Sequence, residues 1–188
     1  MTKTELSLIK PLVFGGIDGL TTTLALVWGS MAAGEHLVSS QVVIILGVAQ
    51  LMATAFSMGI GDYVGTIAEY EAQQQDGDLL KNLSVKAAAL RSGITMFLSF
   101  LVFGGVPLIP YFPSGLAADT RRGLATLLCA FSFFALGAVR ATLERRRDAM
   151  LKMSTNMLLM GTGAALISFG SSKAIYWLLG AAESEGRV

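Results

Sequence analysis

Five apolar runs, each long enough to cross a hydrocarbon layer, leave this chain little freedom in how it folds. A layer roughly 30 Å thick is crossed by about 20 helical residues, and inside it each backbone polar group must find its partner within the protein. The runs cover about 11–33, 41–66, 85–112, 124–139 and 153–179. Hydrophobic residues make up 53% of the chain and charged residues 14%, a balance too apolar for an ordinary soluble domain. The mean hydropathy of +0.62 points the same way. A soluble bundle of five helices is the alternative, but the first three runs lack the charged stripe that a water-facing helix requires. The expected fold is therefore an all-α membrane protein with five transmembrane helices, built as a single transmembrane domain over 1–188 with no room for a second soluble domain.

Polar punctuation separates the runs. Gly34-Glu35-His36 closes the first, and Glu69, Glu71, Gln73, Gln74, Gln75, Asp76 and Asp78 mark a solvated helical extension and turn after the second. Pro107-Leu108-Ile109-Pro110 predicts a stop or kink in the third, because proline lacks a backbone donor. Arg140 and Arg145-Arg146-Arg147 form a basic turn after the fourth, and Gly161, Gly163, Gly170 and Lys173 interrupt the fifth. The polar segment Met1–Lys10 and the Gly- and Thr-rich run behind it predict a retained span, not a signal peptide.

Five spans place the termini on opposite sides. Lys3, Lys10, Lys81, Lys86, Arg91, Arg140, Arg145, Arg146, Arg147 and Lys152 would fall on the N-terminal side, against only Arg121, Arg122 and Arg187 on the other. The positive-inside rule then predicts a cytoplasmic N-terminus and a C-terminus on the opposite side. A net charge of +1, with no basic segment interleaved with aromatic residues, gives no sign of a nucleic-acid partner. Cys129 sits in an apolar run and reads as a small hydrophobe. The single histidine, His36, lies in a short turn without a nucleophile beside it, so no enzyme is expected, and no permanently bound cofactor is implied.

Asp18 stands out within the first run, because a carboxylate is costly at that depth and marks a functional site by default. It lies in Phe14-Gly15-Gly16-Ile17-Asp18-Gly19-Leu20-Thr21-Thr22-Thr23. The glycines permit local unwinding, which would expose carbonyl oxygens beside the carboxylate. Equally, Asp18 could cap a helix restarting at Gly19, with Gly15 and Gly19 forming a small-residue packing face. In the second run Gln50, Thr54, Met58 and Asp62 recur at helical spacing on one face, with Ser57 beside Met58. An amide, a hydroxyl, a thioether and a carboxylate in one row should line the protein interior or a pathway. Oxygen with sulfur suits a borderline divalent metal such as Fe²⁺ or Mn²⁺, not Mg²⁺ or Ca²⁺. Gap-filling packing is the competing role for Met58, and an exposed helix-end carboxylate the competing role for Asp62.

Asp18-Gly19-Leu20 with Ala25-Leu26-Val27-Trp28-Gly29, then Ser57-Met58-Gly59-Ile60-Gly61-Asp62-Tyr63, then Pro107-Leu108-Ile109-Pro110-Tyr111, resembles the vacuolar iron transporter family. The resemblance runs in order over most of the chain. It implies a five-helix homodimer that moves Fe²⁺, often Mn²⁺ as well, out of the cytosol in exchange for protons. It further implies that Asp18 and Met58 are metal ligands in the translocation pathway. Two departures from the family pattern stand out. Gly61-Asp62-Tyr63 replaces the usual Gly-Glu-Tyr, shortening the carboxylate by one methylene. A glutamate- and methionine-rich cytoplasmic insert is replaced by about twenty residues, in which Glu69, Glu71, Asp76 and Asp78 read first as a solvated acidic turn.

The metal-site expectation is thus Asp18, Met58 and Asp62, with Gln50, Thr54 and Ser57 lining the pathway, and Fe²⁺ or Mn²⁺ as transported substrate. Metal binding to a protonated carboxylate would release a proton, so exchange needs no ATP, and the chain carries no phosphate-binding glycine loop. Small-residue faces on the first span, Gly15 with Gly19 and Ala25 with Gly29 and Ala33, would allow close helix contact in a dimer. Two other readings stay open: a non-transporting membrane subunit whose Asp18 and Asp62 pair with a partner's basic residues, and an exporter of another cation. The compact form, lacking the insert, suggests a prokaryotic cell (inner) membrane.

Overall fold

A computed structural model of the chain describes residues 3–33, 38–73, 79–113, 115–143, 148 and 150–185. Its elements are α1 (Lys3–Ala33), α2 (Ser40–Gln73), α3 (Leu79–Gly105), a 3-10 turn (Val106–Tyr111), α4 (Ala118–Leu143) and α5 (Met150–Glu185). Within them Leu8–Ala32, Ser40–Ala72, Leu83–Tyr111, Ala118–Leu143 and Met150–Leu178 are long and apolar enough to cross a membrane. The five-helix expectation holds, and the chain is an integral membrane protein.

The helices overrun the apolar runs because flanking polar residues continue the same backbone ladder. α4 begins at Ala118, well before Leu124, and its first turn holds Asp119, a favourable charge at a helix N-terminus. Arg122 Nη1 bonds the Asp119 carboxylate at 3.3 Å. In the third span the α-helix stops at Gly105, and Pro107 and Pro110 convert the remainder into the 3-10 turn. The expected stop is there, and its cause is the missing proline donors.

Of the two roles open to the glycines around Asp18, local unwinding does not occur and the small-residue packing face is present. α1 is continuous through Gly15, Gly16 and Gly19, because these glycines serve close packing instead of unwinding. A Cβ added at Gly15 would lie 2.7 Å from the Met96 carbonyl oxygen, and one at Gly19 would lie 2.5 Å from that of Phe100. The two backbones of α1 and α3 therefore touch directly, and Asp18 caps no helix. This small-residue face is occupied by α3 of the same chain, so it is not a dimer contact. Gly29 likewise faces α5, where its Cβ would meet Ser172 Oγ at 3.0 Å.

α1 is the central helix, packed against α3, α4 and α5 and only lightly against α2. α3 stands between α1 and α2. Leu20, Leu24, Phe133, Leu136 and Met157 form one core among α1, α4 and α5. Val27, Val43, Leu51, Ala55, Phe100 and Leu108 form a second that binds α2 and α3 to α1. Cys129 is buried, with its Sγ 3.7 Å from the Leu20 carbonyl oxygen. Large side chains such as Ile45, Phe131, Ile167 and Trp177 point outward, as lipid-facing residues do. The outer face carries no hydrophobic driving force in a bilayer, so close packing of the small-residue seams holds the helices together.

The seams give a direct test. At the α2–α3 crossing a Cβ on Gly93 would lie 2.5 Å from the Gly59 carbonyl oxygen. Gly93→Leu is expected to lower stability by about 2 kcal/mol through overpacking, read as earlier thermal unfolding in detergent. Gly123→Ala, at a position with nothing within 4 Å, is expected to leave unfolding unchanged or slightly later.

Candidate functional site

The carboxylate of the first helix sits on its open side. Gly15, Gly16, Gly19, Leu20 and Thr23 are buried against neighbouring helices, whereas Asp18 and Thr22 are half-buried and Phe14, one turn earlier, is 54% exposed. Residues 14, 18 and 22 share one face of α1. That face looks away from α3, into the space beside α2.

On α2 the buried ridge is Val43, Gly47, Leu51, Ala55 and Gly59, one residue out of register with Gln50, Thr54, Met58 and Asp62. The polar row therefore lies on the flank of the helix. Gln50 and Ser57 are exposed, while Thr54, Met58 and Asp62 are half-buried. The row is thus neither fully buried nor fully exposed. Met58 also packs partly against the second core near Phe97, so its packing role is real alongside any other.

Heights along the bundle follow from α3. Gly104 touches both Gly19 of α1 and Leu51 of α2, so those residues stand level. At about 1.5 Å per residue, Met58 lies about 10 Å and Asp62 about 16 Å from Leu51 towards the N-terminal end of the bundle. Asp18, beside Gly19, is thus level with the stretch between Gln50 and Thr54. Side chains on helices lean towards the helix N-terminus, and α1 and α2 run antiparallel. Asp18 therefore leans towards the height of Met58, and Met58 leans towards that of Asp18. The residues form a ladder, with Met58 and Asp62 one turn apart and Asp18 above them.

Asp62 holds the clearest unmet demand. Its Oδ2 is buried without a hydrogen-bond partner, and so is the hydroxyl of Tyr70, two turns further along α2. Buried polar atoms are satisfied in the great majority of cases, so such an exception needs a reason. Tyr70 escaped sequence reasoning, although Thr66 and Tyr70 continue the four-residue row of Asp62. Among the described residues no three His, Cys, Asp or Glu side chains converge on one point. Glu69 and Glu71 are exposed on the α2 extension, in keeping with a solvated acidic stretch. Asp76, Asp78, His36 and Arg145 to Arg147 lie outside the described residues.

A crevice of about 480 Å³ opens beside this face on the side of Asp18 remote from Asp62. Thr22, Gly29 and Ser30 of α1, Leu46 and Gln50 of α2, and Ser168 and Ser172 of α5 line it. The serines of α5 were not legible as site residues, because the fifth run shows no polar row of its own.

Comparison with known proteins matches this architecture to one family. The sequence pattern of the VIT family fits residues 9–82 and 78–173. A vacuolar iron transporter of Toxoplasma gondii is 43% identical over 77 residues, covering 39% of this chain and 24% of that protein. A vacuolar iron transporter of Plasmodium berghei is 24% identical over 86% of this chain and 80% of its own length. Vacuolar iron transporter homolog 2 of Oryza sativa subsp. japonica is 28% identical over 86% of this chain and 87% of its own length. Matched by the family pattern along nearly all of its membrane-spanning length, the chain belongs to the VIT family.

Proposed function

We propose that this protein transports a divalent transition metal, Fe²⁺ and also Mn²⁺, out of the cytosol in exchange for protons, through a pathway that two copies of the chain complete. The observation that carries the reading is the half-open ladder of Asp62, Met58 and Asp18 on facing flanks of α2 and α1, with Asp62 Oδ2 left unpartnered. The names of the relatives support iron as cargo, and the absence of a nucleophile–base pair in the sequence fits a transporter and not an enzyme.

In this reading Asp62 receives the ion near the cytoplasmic end, where the basic residues of the sequence concentrate. Met58 supplies a thioether above it, a soft donor that suits Fe²⁺ better than Mg²⁺ or Ca²⁺. Thr54 and Ser57 offer hydroxyls beside it, and Asp18 takes the ion at mid-membrane. Asp18 and Met58 lean towards each other's height, which orders them as successive stations along the pathway. A divalent cation at a carboxylate favours its ionised form over the protonated one. Loading metal at Asp18 therefore expels a proton, and unloading takes one up. Homodimerisation suits the open faces of α1 and α2, where a second protein surface would exclude lipid from the polar row.

Proteoliposomes loaded with a pH dye test the coupling. Asp18→Asn is expected to abolish metal-driven proton movement, and unaltered exchange in that variant would overturn the proposal. Met58→Ala is expected to weaken apparent affinity for Fe²⁺ about tenfold, which corresponds to about 1.4 kcal/mol, and to reduce discrimination between Fe²⁺ and Mn²⁺. Native mass measurement in detergent is expected to find two copies of the chain; a transporting monomer would overturn the shared pathway.

A further inference from the structure

The crevice on the far side of Asp18 differs from the lipid-facing sides of α5 in how its hydroxyls are treated. On the lipid-facing sides of α5, Thr155, Thr162 and Ser171 each donate to the carbonyl four residues back, namely Leu151, Leu158 and Ile167, at 2.8 Å. That local bond is how a hydroxyl is satisfied where there is no water. Ser168 instead donates across the helix gap to the Ala25 carbonyl oxygen of α1 at 2.8 Å, leaving its lone pairs towards the crevice. Thr22, Gln50 and Ser172 also line this space, and none of them has a hydrogen-bond partner among the described residues. Three unsatisfied polar side chains facing hydrocarbon would each be strongly unfavourable.

Gly29 is what lets these groups converge. Its missing side chain leaves room for Ser172 Oγ, 3.0 Å from where a Cβ would stand, and for Ser168 Oγ at 3.6 Å. Thr22 stands one turn beyond Asp18 on the same face of α1, and Gln50 is the last member of the polar row on α2. The crevice thus begins where the ladder ends.

We propose that this crevice is a water-filled vestibule through which the divalent cation passes on the far side of Asp18, with Thr22, Gln50, Ser168 and Ser172 as neutral oxygen donors. The assignment rests on the transport reading above and extends it to α5. Neutral donors suit this stretch, since they partly replace hydration without holding a divalent ion as tightly as a second carboxylate would. A smaller cavity of about 240 Å³ adjoins the crevice at Ser30 and Val38, and Arg121 and Arg122 line its other side. Release is through the open side of the larger crevice.

Single-cysteine variants in a Cys129→Ala background test the vestibule by reaction with a membrane-impermeant cationic thiol reagent in proteoliposomes without metal. Thr22→Cys and Ser172→Cys are expected to react at least about tenfold faster than the lipid-facing Ile167→Cys, since only a hydrated site supports thiolate. Added Mn²⁺ is expected to slow both reactions, and the modified Ser172→Cys protein is expected to lose transport. If Ser172→Cys reacts as slowly as Ile167→Cys while the protein still transports metal, the vestibule is overturned and the transport reading stands. If the crevice cysteines react fast but no variant or wild type moves metal, the transport reading fails and the hydrated crevice stands. A Ser172→Cys that crosslinks to a second copy in place of reacting would mean that protein fills the crevice, and would likewise overturn the vestibule.

Discussion

The backbone contact between α1 and α3 at Gly15 and Gly19 is the constraint on which the other features depend. It places Asp18 at a fixed height and a fixed angle, because the residues on either side of it are locked against the Met96 and Phe100 carbonyls. With α3 wedged between them, α1 and α2 cannot close on each other. The space that remains is bordered by Asp18 and Thr22 on one side and by the Gln50 row on the other. A side chain larger than hydrogen at Gly19 would push α3 away and rotate the carboxylate out of that space. The glycines that suggested an interrupted helix thus do the reverse, since they hold a continuous helix rigid beside an opening.

Much of the architecture was legible in the sequence because run length in a bilayer is a strong signal. Four of the five helices contain their apolar runs, and the third run continues past α3 into the 3-10 turn that Pro107 and Pro110 marked. Helix ends were less legible: the fourth run begins near 124, yet Asp119, Arg121 and Arg122 form the opening turns of α4. Hydropathy reports the hydrocarbon depth and is silent about turns that extend into the interface. The role of the glycines was ambiguous for a different reason. A Gly-Gly pair permits both unwinding and close approach, and only the position of a neighbouring backbone decides between them.

The site divides along the same line. Residues that repeat at four-residue spacing on one helix, such as Gln50, Thr54, Met58 and Asp62, announce a common face without a structure. Which neighbour that face meets is a tertiary question, and the answer is the open flank and not the core. Ser168 and Ser172 share that spacing but make only a single pair. They belong to a helix whose polar residues are scattered, and their distinction appears only in their bonding: Ser171, one position away, satisfies itself on Ile167, while Ser168 reaches across to Ala25.

The shortened carboxylate at Asp62 fits this geometry. An aspartate keeps its charge closer to the α2 backbone than a glutamate would, and Asp62 Oδ2 is accordingly buried while the exposed Glu69 and Glu71 stand on the helix beyond it. In the proposed transporter the ion would then pass from exposed carboxylates to one half-buried carboxylate, to a thioether, to the mid-membrane aspartate, and on to neutral hydroxyls. Charge density is greatest where the ion must be captured from dilute solution and falls where it must be released. A pathway graded in that way needs no tight central cage, which is consistent with the absence of a three-ligand cluster among the described residues of one protomer.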